Sequence, residues 1–286
     1  MKRAIYIFIV SLVVLSLFGC STTTDKTDQN KLIVAVSIVP EQTFVQAVAG
    51  DLVEVITMIP SGSSPETYEP TPLEMEKFSD ADVYFAIGVP AEETNILPNA
   101  QGMNIVMLNE EVAKTYPTLM LGDEADPHIW LSIKRVKLMI TLIADELGRL
   151  DPDNQATYQQ NAEAYIASLD DTDVMIRDLL ANDVGSKFIV YHPAFGYFAN
   201  EYGLEMFSLE EEGKEATPQH LQEMIDLAKS ENIKVIFYQS EIDSSQSEAY
   251  AEEVNGIATQ LEPLSGDYIN NLIKMASTIS EVLSEE

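Results

Sequence analysis

The sequence predicts an α/β protein of two lobes, each with a mostly parallel four-stranded sheet, joined by one long helix. In both halves of the chain, short β-branched runs alternate with segments of helical pattern, which is typical of α/β units with parallel strands. Between the halves, residues 154–181 carry apolar side chains at helical spacing without an interrupting Pro or Gly. With 286 residues, the chain is long enough for two lobes of ordinary size.

The N-terminus predicts export and lipid anchoring. Lys2 and Arg3 precede an apolar run over residues 4–18, which is too short for a comfortable membrane span and suits a signal segment. The run is followed by Gly-Cys, and its end resembles the lipobox of bacterial and archaeal lipoproteins. Residues 1–20 are therefore predicted to be a signal segment that ends at a lipidated Cys20. The alternative is a chance thiol within a transmembrane helix.

Four further segments follow the predicted lipidation site. Residues 21–30 are polar and lack apolar periodicity, as in a flexible tether. The N-terminal lobe is then predicted over 31–153, the linking helix over 154–182 and the C-terminal lobe over 183–286. At 1.5 Å per residue the linking helix would reach about 40 Å. Such a helix can run along both lobes as a strut, and a strut limits hinge motion.

Each lobe is predicted to contain four strands. Those of the N-terminal lobe cover 32–37, 53–59, 83–87 and 104–108. Those of the C-terminal lobe cover 187–191, 204–209, 233–238 and 257–261. Predicted helices cover 41–49 in the first lobe and 194–202, 218–230, 245–254 and 267–283 in the second.

The composition favours a cationic ligand over an anionic one. The chain has 16 basic and 47 acidic residues, a formal charge of −31, which repels a nucleic-acid backbone. A negative surface steers cations toward the protein, although the same charge also serves solubility. Cys20 is the only cysteine, so no intrachain disulfide is possible and a metal site must use nitrogen and oxygen ligands.

Two of the three histidines are candidate metal ligands. His128 lies in the loop Asp-Pro-His-Ile-Trp-Leu just ahead of a helix, where the apolar residues give a ligand rigid backing; packing against Trp130 is the alternative. His192 ends a strand, at the sheet edge where ligands bind in open α/β folds; a buried structural histidine is the alternative. His220 is predicted to lie in the first turn of a helix capped by Thr217, without a binding role.

Carboxylates follow two further strands. The proline-rich loop 60–72 comes after the second strand and contains Glu66 and Glu69, which loop chemistry alone does not distinguish. Asp267 follows the last predicted strand and begins a helix, so it either binds a ligand or caps that helix.

These four places together resemble the cluster A-I substrate-binding lipoproteins of zinc and manganese ABC transporters. The resemblance runs from about residue 31 to the C-terminus. It rests on the family's G-x-x-P-H-x-Y-E-P-T-P loop, its D-P-H-x-W loop, a strand-end histidine or glutamate and a G-D-Y-type segment. It implies two α/β lobes joined by one long helix, with a metal between the lobes. Position by position, the implied ligands are Glu66, His128, His192 and Asp267.

The implied ligand set departs from the family pattern at one position. Glu66 stands where many members have histidine, so the site has two imidazoles and two carboxylates. Zinc members usually present three imidazoles, and manganese members usually two imidazoles and two carboxylates. The expected cargo is therefore Zn²⁺ or Mn²⁺, and the ligand set does not decide between them. Glu69 is expected to make supporting hydrogen bonds rather than to bind the metal.

The expected function is an extracytoplasmic receptor that captures the metal and delivers it to an ABC transporter permease and its ATPase. The protein is expected to be a monomer, lipid-anchored to the cell membrane, without enzyme activity or a nucleic-acid partner. The alternatives are a secreted metallohydrolase, with Glu66 or Glu241 as general base on a metal-bound water, and an adhesin that retains the fold. The sequence has no H-E-x-x-H helix or nucleophile elbow, which favours the receptor.

Overall fold

The computed structural model describes residues 31–210, 216–241 and 245–285. Leu32–Glu286 form one compact unit. The predicted signal segment with Cys20 and the predicted tether lie outside the described residues. Within the described ranges, no helix combines the length and the apolar character needed to cross a membrane.

The N-terminal lobe is built on one parallel sheet. Its strands are β1 Leu32–Val36, β2 Val53–Thr57, β3 Val83–Ala86 and β4 Ile105–Met107, in the order β2-β1-β3-β4. Its helices are α1 Val39–Ala49, α2 Pro72–Ser79, α3 Leu108–Ala113 and α4 Ile133–Leu150. A short antiparallel hairpin joins β5 Met120–Leu121 to β6 Glu124–Ala125. All four residues of β3 are fully buried, as expected for a parallel strand covered on both faces.

The C-terminal lobe repeats the same plan. Its strands are β7 Lys187–Val190, β8 Glu205–Ser208, β9 Val235–Gln239 and β10 Ile257–Leu261. They pair in parallel in the order β10-β9-β7-β8. The helices of this lobe are α6 Gly196–Tyr202, α7 Pro218–Glu231, α8 Ser245–Glu253 and α9 Tyr268–Glu285. The predicted fold class, with two parallel four-stranded sheets, is confirmed.

One long helix, α5 Gln155–Leu179, links the lobes. Its 25 residues extend over about 37 Å at 1.5 Å per residue. It packs against α1 and α4 of the first lobe and against α9 of the second. This is the strut predicted from the uninterrupted helical pattern.

The larger apolar core extends from the first lobe into the second. Phe188, Val190 and Phe237 belong to it, whereas Ile189 and Ile236 from the same two strands belong to a second, smaller core. Successive side chains of a strand point to opposite faces of the sheet, so each face of the C-terminal sheet has its own apolar cover. The face that joins the shared core ties the two lobes together.

Direct hydrogen bonds reinforce this contact between the lobes. Trp130 Nε1 donates to the Pro263 carbonyl at 2.9 Å, and the Tyr268 hydroxyl donates to the Trp130 carbonyl at 2.5 Å. The Tyr268 ring meets the edge of Phe44 with a centroid distance of 4.8 Å. Trp130 follows the candidate ligand His128 by two residues, so the interlobe contact directly supports the candidate site.

Candidate metal centre

Three of the four predicted ligands come together between the lobes. Nε2 of His128 lies 3.3 Å from Nε2 of His192. Glu66 Oε1 lies 3.6 Å from the His192 Nε2 and 3.9 Å from the His128 Nε2. Ligand atoms around a tetrahedral zinc ion with bonds of 2.0–2.1 Å stand about 3.3 Å apart. Small side-chain shifts therefore allow all three atoms to contact one ion.

The loop that carries Glu66 is fastened to the neighbouring segment of the lobe. The Ala91 N–H donates to the Pro65 carbonyl at 3.0 Å, and Asn95 Nδ2 donates to the Tyr68 carbonyl at 2.8 Å. These bonds flank Glu66 on both sides in the sequence. The carboxylate is thus presented from a rigid loop, as a preorganised ligand requires.

Glu69, the other acidic residue of this loop, is exposed. In the described parts of the chain, the group of possible metal ligands contains Glu66, His128 and His192 and does not include Glu69. The geometry therefore favours Glu66 over Glu69.

His128 is held by Asp126, which lies two residues earlier. Asp126 Oδ1 accepts from the backbone N–H of His128 at 2.9 Å and contacts its Nδ1 at 2.8 Å. A carboxylate beside Nδ1 favours the proton on that nitrogen and leaves the Nε2 lone pair free for a metal. The buried turn Ile129–Leu131 follows at once and anchors the loop in the core.

His192 is held in the same way by Glu210. Its Nδ1 lies 2.6 Å from Glu210 Oε2. Val190 of β7 pairs with Ser208 of β8, so two residues further along the parallel strands His192 stands beside Glu210. The sequence analysis did not identify Glu210, although the pairing of the two predicted strands would have placed it there.

In the metal-free protein, neighbouring charges shift the pKa values of His192 and Glu66. Burial disfavours the charged form of His192, but the carboxylates of Glu210 and Glu66 outweigh burial and raise its pKa to about 9. Burial also opposes the charged form of Glu66, but the adjacent imidazoles of His192 and His128 lower its pKa below the ordinary value. At neutral pH the metal-free cluster therefore holds a proton that an incoming metal must replace.

Asp267, the fourth predicted ligand, does not join this group. It is exposed, and its carboxylate accepts from Asn270 Nδ2 at 2.9 and 3.1 Å. It directly precedes α9, the position of a helix cap. Burial first, and then the charge of Asp267, raise the pKa of Tyr165 on α5. Asp267 as a ligand stays a prediction without geometric support.

His220 lies outside the cluster, as predicted. Thr217 Oγ1 accepts from the His220 backbone N–H at 3.2 Å, and Pro218 is the first residue of α7. The His220 ring contacts the Ser208 carbonyl through Nε2 at 2.9 Å. This histidine belongs to a helix N-terminus and contacts backbone.

Two cavities adjoin the clustered ligands. The smaller has a volume of about 20 Å³, enough for one ion or water molecule. The larger has a volume of about 420 Å³, reaches the same three side chains and is also lined by Glu93 and Glu124. The small cavity can hold a bare cation, and acidic side chains line the larger space beside it.

Comparisons with known proteins identify the family of this chain. The family model described as ZnuA, zinc-uptake complex component A, periplasmic, matches residues 34–282. The chain belongs to the ZnuA family. The resemblance seen in the sequence motifs is thereby confirmed.

The individual proteins to which the chain is similar are named for different metals. The chain is 28% identical over 257 residues to the manganese-binding lipoprotein MntA of Halalkalibacterium halodurans, covering 86% of this chain and 84% of that protein. It is 30% identical over 282 residues to the iron ABC transporter substrate-binding lipoprotein MtsA of Streptococcus pyogenes, covering 88% and 86%. It is also similar to a crystal structure of ZnuA, with a TM-score of 0.82, 35% identity and coverage of 88% and 99%.

Proposed function

We propose that this protein captures one divalent transition-metal ion between its two lobes and delivers it to an ABC transporter permease driven by an ATPase. One observation carries the proposal: two buried imidazoles and a carboxylate converge within 3.9 Å at the junction of the lobes. Each imidazole has its Nδ1 against a carboxylate, the arrangement that orients histidines toward a metal. The ion is cargo that the protein releases to the permease.

The metal ligands are proposed to be Glu66, His128 and His192. Imidazole suits zinc, and carboxylate oxygen suits manganese, so the mixed donor set is compatible with Zn²⁺ and Mn²⁺. A relative named for manganese binding, another named for iron transport and the family description as a zinc-uptake component support a divalent transition metal as the class of cargo. Because zinc binds more tightly than manganese to nearly any such site, supply in the cell as well as affinity would decide which ion is carried.

Family membership argues against the metallohydrolase alternative. The family is described as a component of an uptake complex, and its members are transporter components rather than enzymes. A hydrolase also needs an open metal position that holds the reacting water. Glu66, one of the two residues that this alternative offers as a general base, lies among the ligand atoms themselves.

Metal analysis and variants of the proposed metal ligands test the proposal directly. Protein purified without chelator is expected to contain one transition-metal ion per chain, measured by elemental analysis. His128→Ala is expected to weaken Zn²⁺ binding at least hundredfold, of the order of the loss of one ligand bond, in competition titrations with a chromophoric chelator. His220→Ala, which removes a histidine outside the cluster, should bind as the wild type does. Wild-type affinity in His128→Ala would contradict the proposal.

The lipid anchor is proposed to keep the receptor at the extracytoplasmic face of the membrane, where it acts as a monomer beside its permease. The Gly-Cys end of the signal segment supports lipidation at Cys20. Cys20→Ala is expected to leave the protein soluble in the medium or periplasm, with its metal affinity unchanged, as measured by cell fractionation. A variant that remains in the membrane fraction would mean that residues 1–20 are a true membrane anchor.

A further inference from the structure

Helix α6 of the C-terminal lobe lies at the boundary with the N-terminal lobe and begins four residues after His192. It packs against the turn Ile129–Leu131, which directly follows His128. Its first residue, Gly196, approaches Asp126 so closely that a Cβ atom would stand 2.7 Å from Asp126 Oδ2, and a larger residue would displace that carboxylate. One short helix therefore contacts the segments that carry both imidazoles.

Glu201 on α6 binds the first turn of α4, which belongs to the other lobe. Glu201 Oε2 accepts a hydrogen bond from Ser132 Oγ, and Glu201 Oε1 accepts from the backbone N–H of Lys134 at 3.2 Å. The Lys134 ammonium lies 4.0 Å from Oε2, and the side chain of Glu201 is only 3% exposed. A buried carboxylate requires such donors. Glu201 thus connects the two lobes through hydrogen bonds and through charge.

Among the described residues, helix α4 lacks a capping side chain of its own. Ser132 stands at its N-cap but makes no capping hydrogen bond through its side chain, and the first turn, Ile-Lys-Arg-Val, contains no acidic residue. The first N–H groups of a helix have no partner within the helix, and this end favours a negative charge. Lys134 is the second residue of α4, a position whose N–H a capping side chain accepts. Glu201 therefore caps α4 from the opposite lobe.

Tyr197, also on α6, strengthens the same contact. Its hydroxyl accepts from the Leu119 N–H at 3.1 Å, and the Arg135 guanidinium lies 4.3 Å from the centre of its ring, a cation–π distance. Arg135 also donates to Ser132 Oγ at 3.2 Å. All of these partners belong to the N-terminal lobe. The bonds of Glu201 and Tyr197 therefore hold α6 in one position relative to α4.

We propose that Glu201 is a positioning residue of the metal site, which fixes the separation of His128 and His192 by capping α4 across the lobe boundary and thereby slows release of the ion. The Nε2 atoms of the two histidines lie 3.3 Å apart, and a displacement of about 1 Å is enough to spoil such a site. His128 precedes the N-cap of α4 by four residues, so a shift of α4 would move it. This inference rests on the proposed function and adds the residue that controls how long the ion is held.

The rate of metal dissociation tests the inference. Glu201→Ala is expected to release Zn²⁺ about tenfold faster than the wild type, a typical coupling between separate sites, in stopped-flow mixing with excess chelator. The association rate should stay within about twofold, because long-range charge governs association whereas buried contacts govern dissociation. Glu201→Gln keeps an oxygen acceptor but loses the charge, so its dissociation rate should lie between those of Glu201→Ala and the wild type.

Glu146→Ala is the matched control. Glu146 lies on α4, its side chain is 15% exposed, and it accepts from Asn104 and Arg149, which belong to its own lobe. Its removal deletes the same charge without touching the lobe boundary. Urea unfolding of the metal-free proteins should show a loss of stability in both alanine variants, whereas only Glu201→Ala should release Zn²⁺ faster. Equal dissociation rates in the two variants would overturn the inference.

Hydrogen exchange provides a second readout, because coupling between two sites is reciprocal. The Lys134 N–H is bonded to Glu201 and has no partner within α4, so its exchange rate reports the cap. Zn²⁺ is expected to slow this exchange in the wild type and in Glu146→Ala, but not in Glu201→Ala. Exchange at Lys134 that does not respond to Zn²⁺ in the wild type would contradict the inference.

The two measurements keep the inference separate from folding and from the proposed function. Should Glu201→Ala fail to fold, the dissociation rate of Glu201→Gln and the exchange at Lys134 in the wild type decide the inference. If dissociation is unchanged in the Glu201 variants while His128→Ala binds Zn²⁺ weakly, the inference fails and the proposed function stands. Wild-type affinity in His128→Ala would overturn both.

Discussion

Between about pH 7 and pH 9, the affinity of the protein for Zn²⁺ is expected to rise about hundredfold, tenfold for each pH unit below the pKa of a competing proton. The competing proton is the one on His192, whose pKa is raised to about 9 by Glu210 and Glu66 against the opposing effect of burial. An imidazole with its ordinary pKa would lose affinity only below about pH 6.5. Competition titrations at several pH values would measure the slope, and calorimetry in different buffers would count about one proton released per ion near pH 7.5.

Glu210→Gln is the matched control for this prediction. The amide keeps a hydrogen-bond acceptor near His192 Nδ1 but removes the charge that favours the imidazolium. The pH at which the affinity levels off should therefore fall in this variant, and less than one proton should be released near pH 7.5. An affinity that stays flat between pH 7 and 9 in the wild type would show that His192 is unprotonated in the metal-free protein.

The same proton is expected to make the metal-free protein less stable as the pH rises, whereas the affinity for Zn²⁺ increases over the same range. The pKa of His192 is about 9 in the folded protein and near 6.5 in the unfolded chain. Protonated His192 therefore stabilises the folded metal-free protein fully below about pH 6.5, and this contribution is lost as the pH rises through about 9. The full difference is of the order of 3 kcal/mol. Urea unfolding from pH 7.5 to 9.5 should show this loss, and less of it in Glu210→Gln. Burial raises the pKa of Glu92 to about 7, which lies below the pH range of this measurement.

The strands of both sheets were predictable because each is a short apolar run buried in a parallel sheet. The predicted run 187–191, for example, is observed as Lys187–Val190. The β5 and β6 hairpin was not predicted, because two residues per strand are too few to form a periodic pattern. The short helix α2 was also missed, although Thr71 and Glu74 form a capping box around Pro72 at its start.

The candidate site was predictable where a ligand is fixed by its own strand or loop. His192 directly follows β7, and His128 is held by Asp126 within the same loop, so local sequence sufficed. The position of Glu210 depends on the register between two separate strands. No single-segment pattern contains that register, and the residue was missed.

Asp267 illustrates the opposite case, because the sequence motif implies a ligand there and the structure does not place its side chain among the clustered ligand atoms. The loop after β10 does reach the site, because Leu264 lines the small cavity and the Pro263 carbonyl accepts from Trp130 Nε1. The side chain of Tyr268 is then buried against Trp130. Asp267, its immediate neighbour, is exposed. The direction of a loop side chain depends on such tertiary contacts, which a motif does not encode.

Replacement of Glu66 by histidine is expected to raise the ratio of zinc affinity to manganese affinity by about tenfold or more, the effect of about 1.4 kcal/mol at one ligand. Glu66 Oε1 lies within 3.9 Å of both imidazole nitrogens, so a third imidazole in its place can reach the same ion. The change removes one negative charge and one oxygen donor, which favours zinc over manganese. The ratio must be compared because zinc binds more tightly than manganese to both proteins.

Three further variants make the Glu66 prediction specific. Glu66→Ala should weaken both ions, since it deletes a donor without replacing it, and Glu69→His should leave the ratio unchanged because Glu69 is exposed and outside the ligand group. Glu66→Gln keeps the oxygen but loses the charge, so it separates the effect of charge from that of donor type. Competition titrations of each variant with Zn²⁺ and Mn²⁺ would give the ratios. An unchanged ratio in Glu66→His together with undiminished affinity in Glu66→Ala would remove Glu66 from the metal, and Glu69 of the same loop would then be the next residue to test.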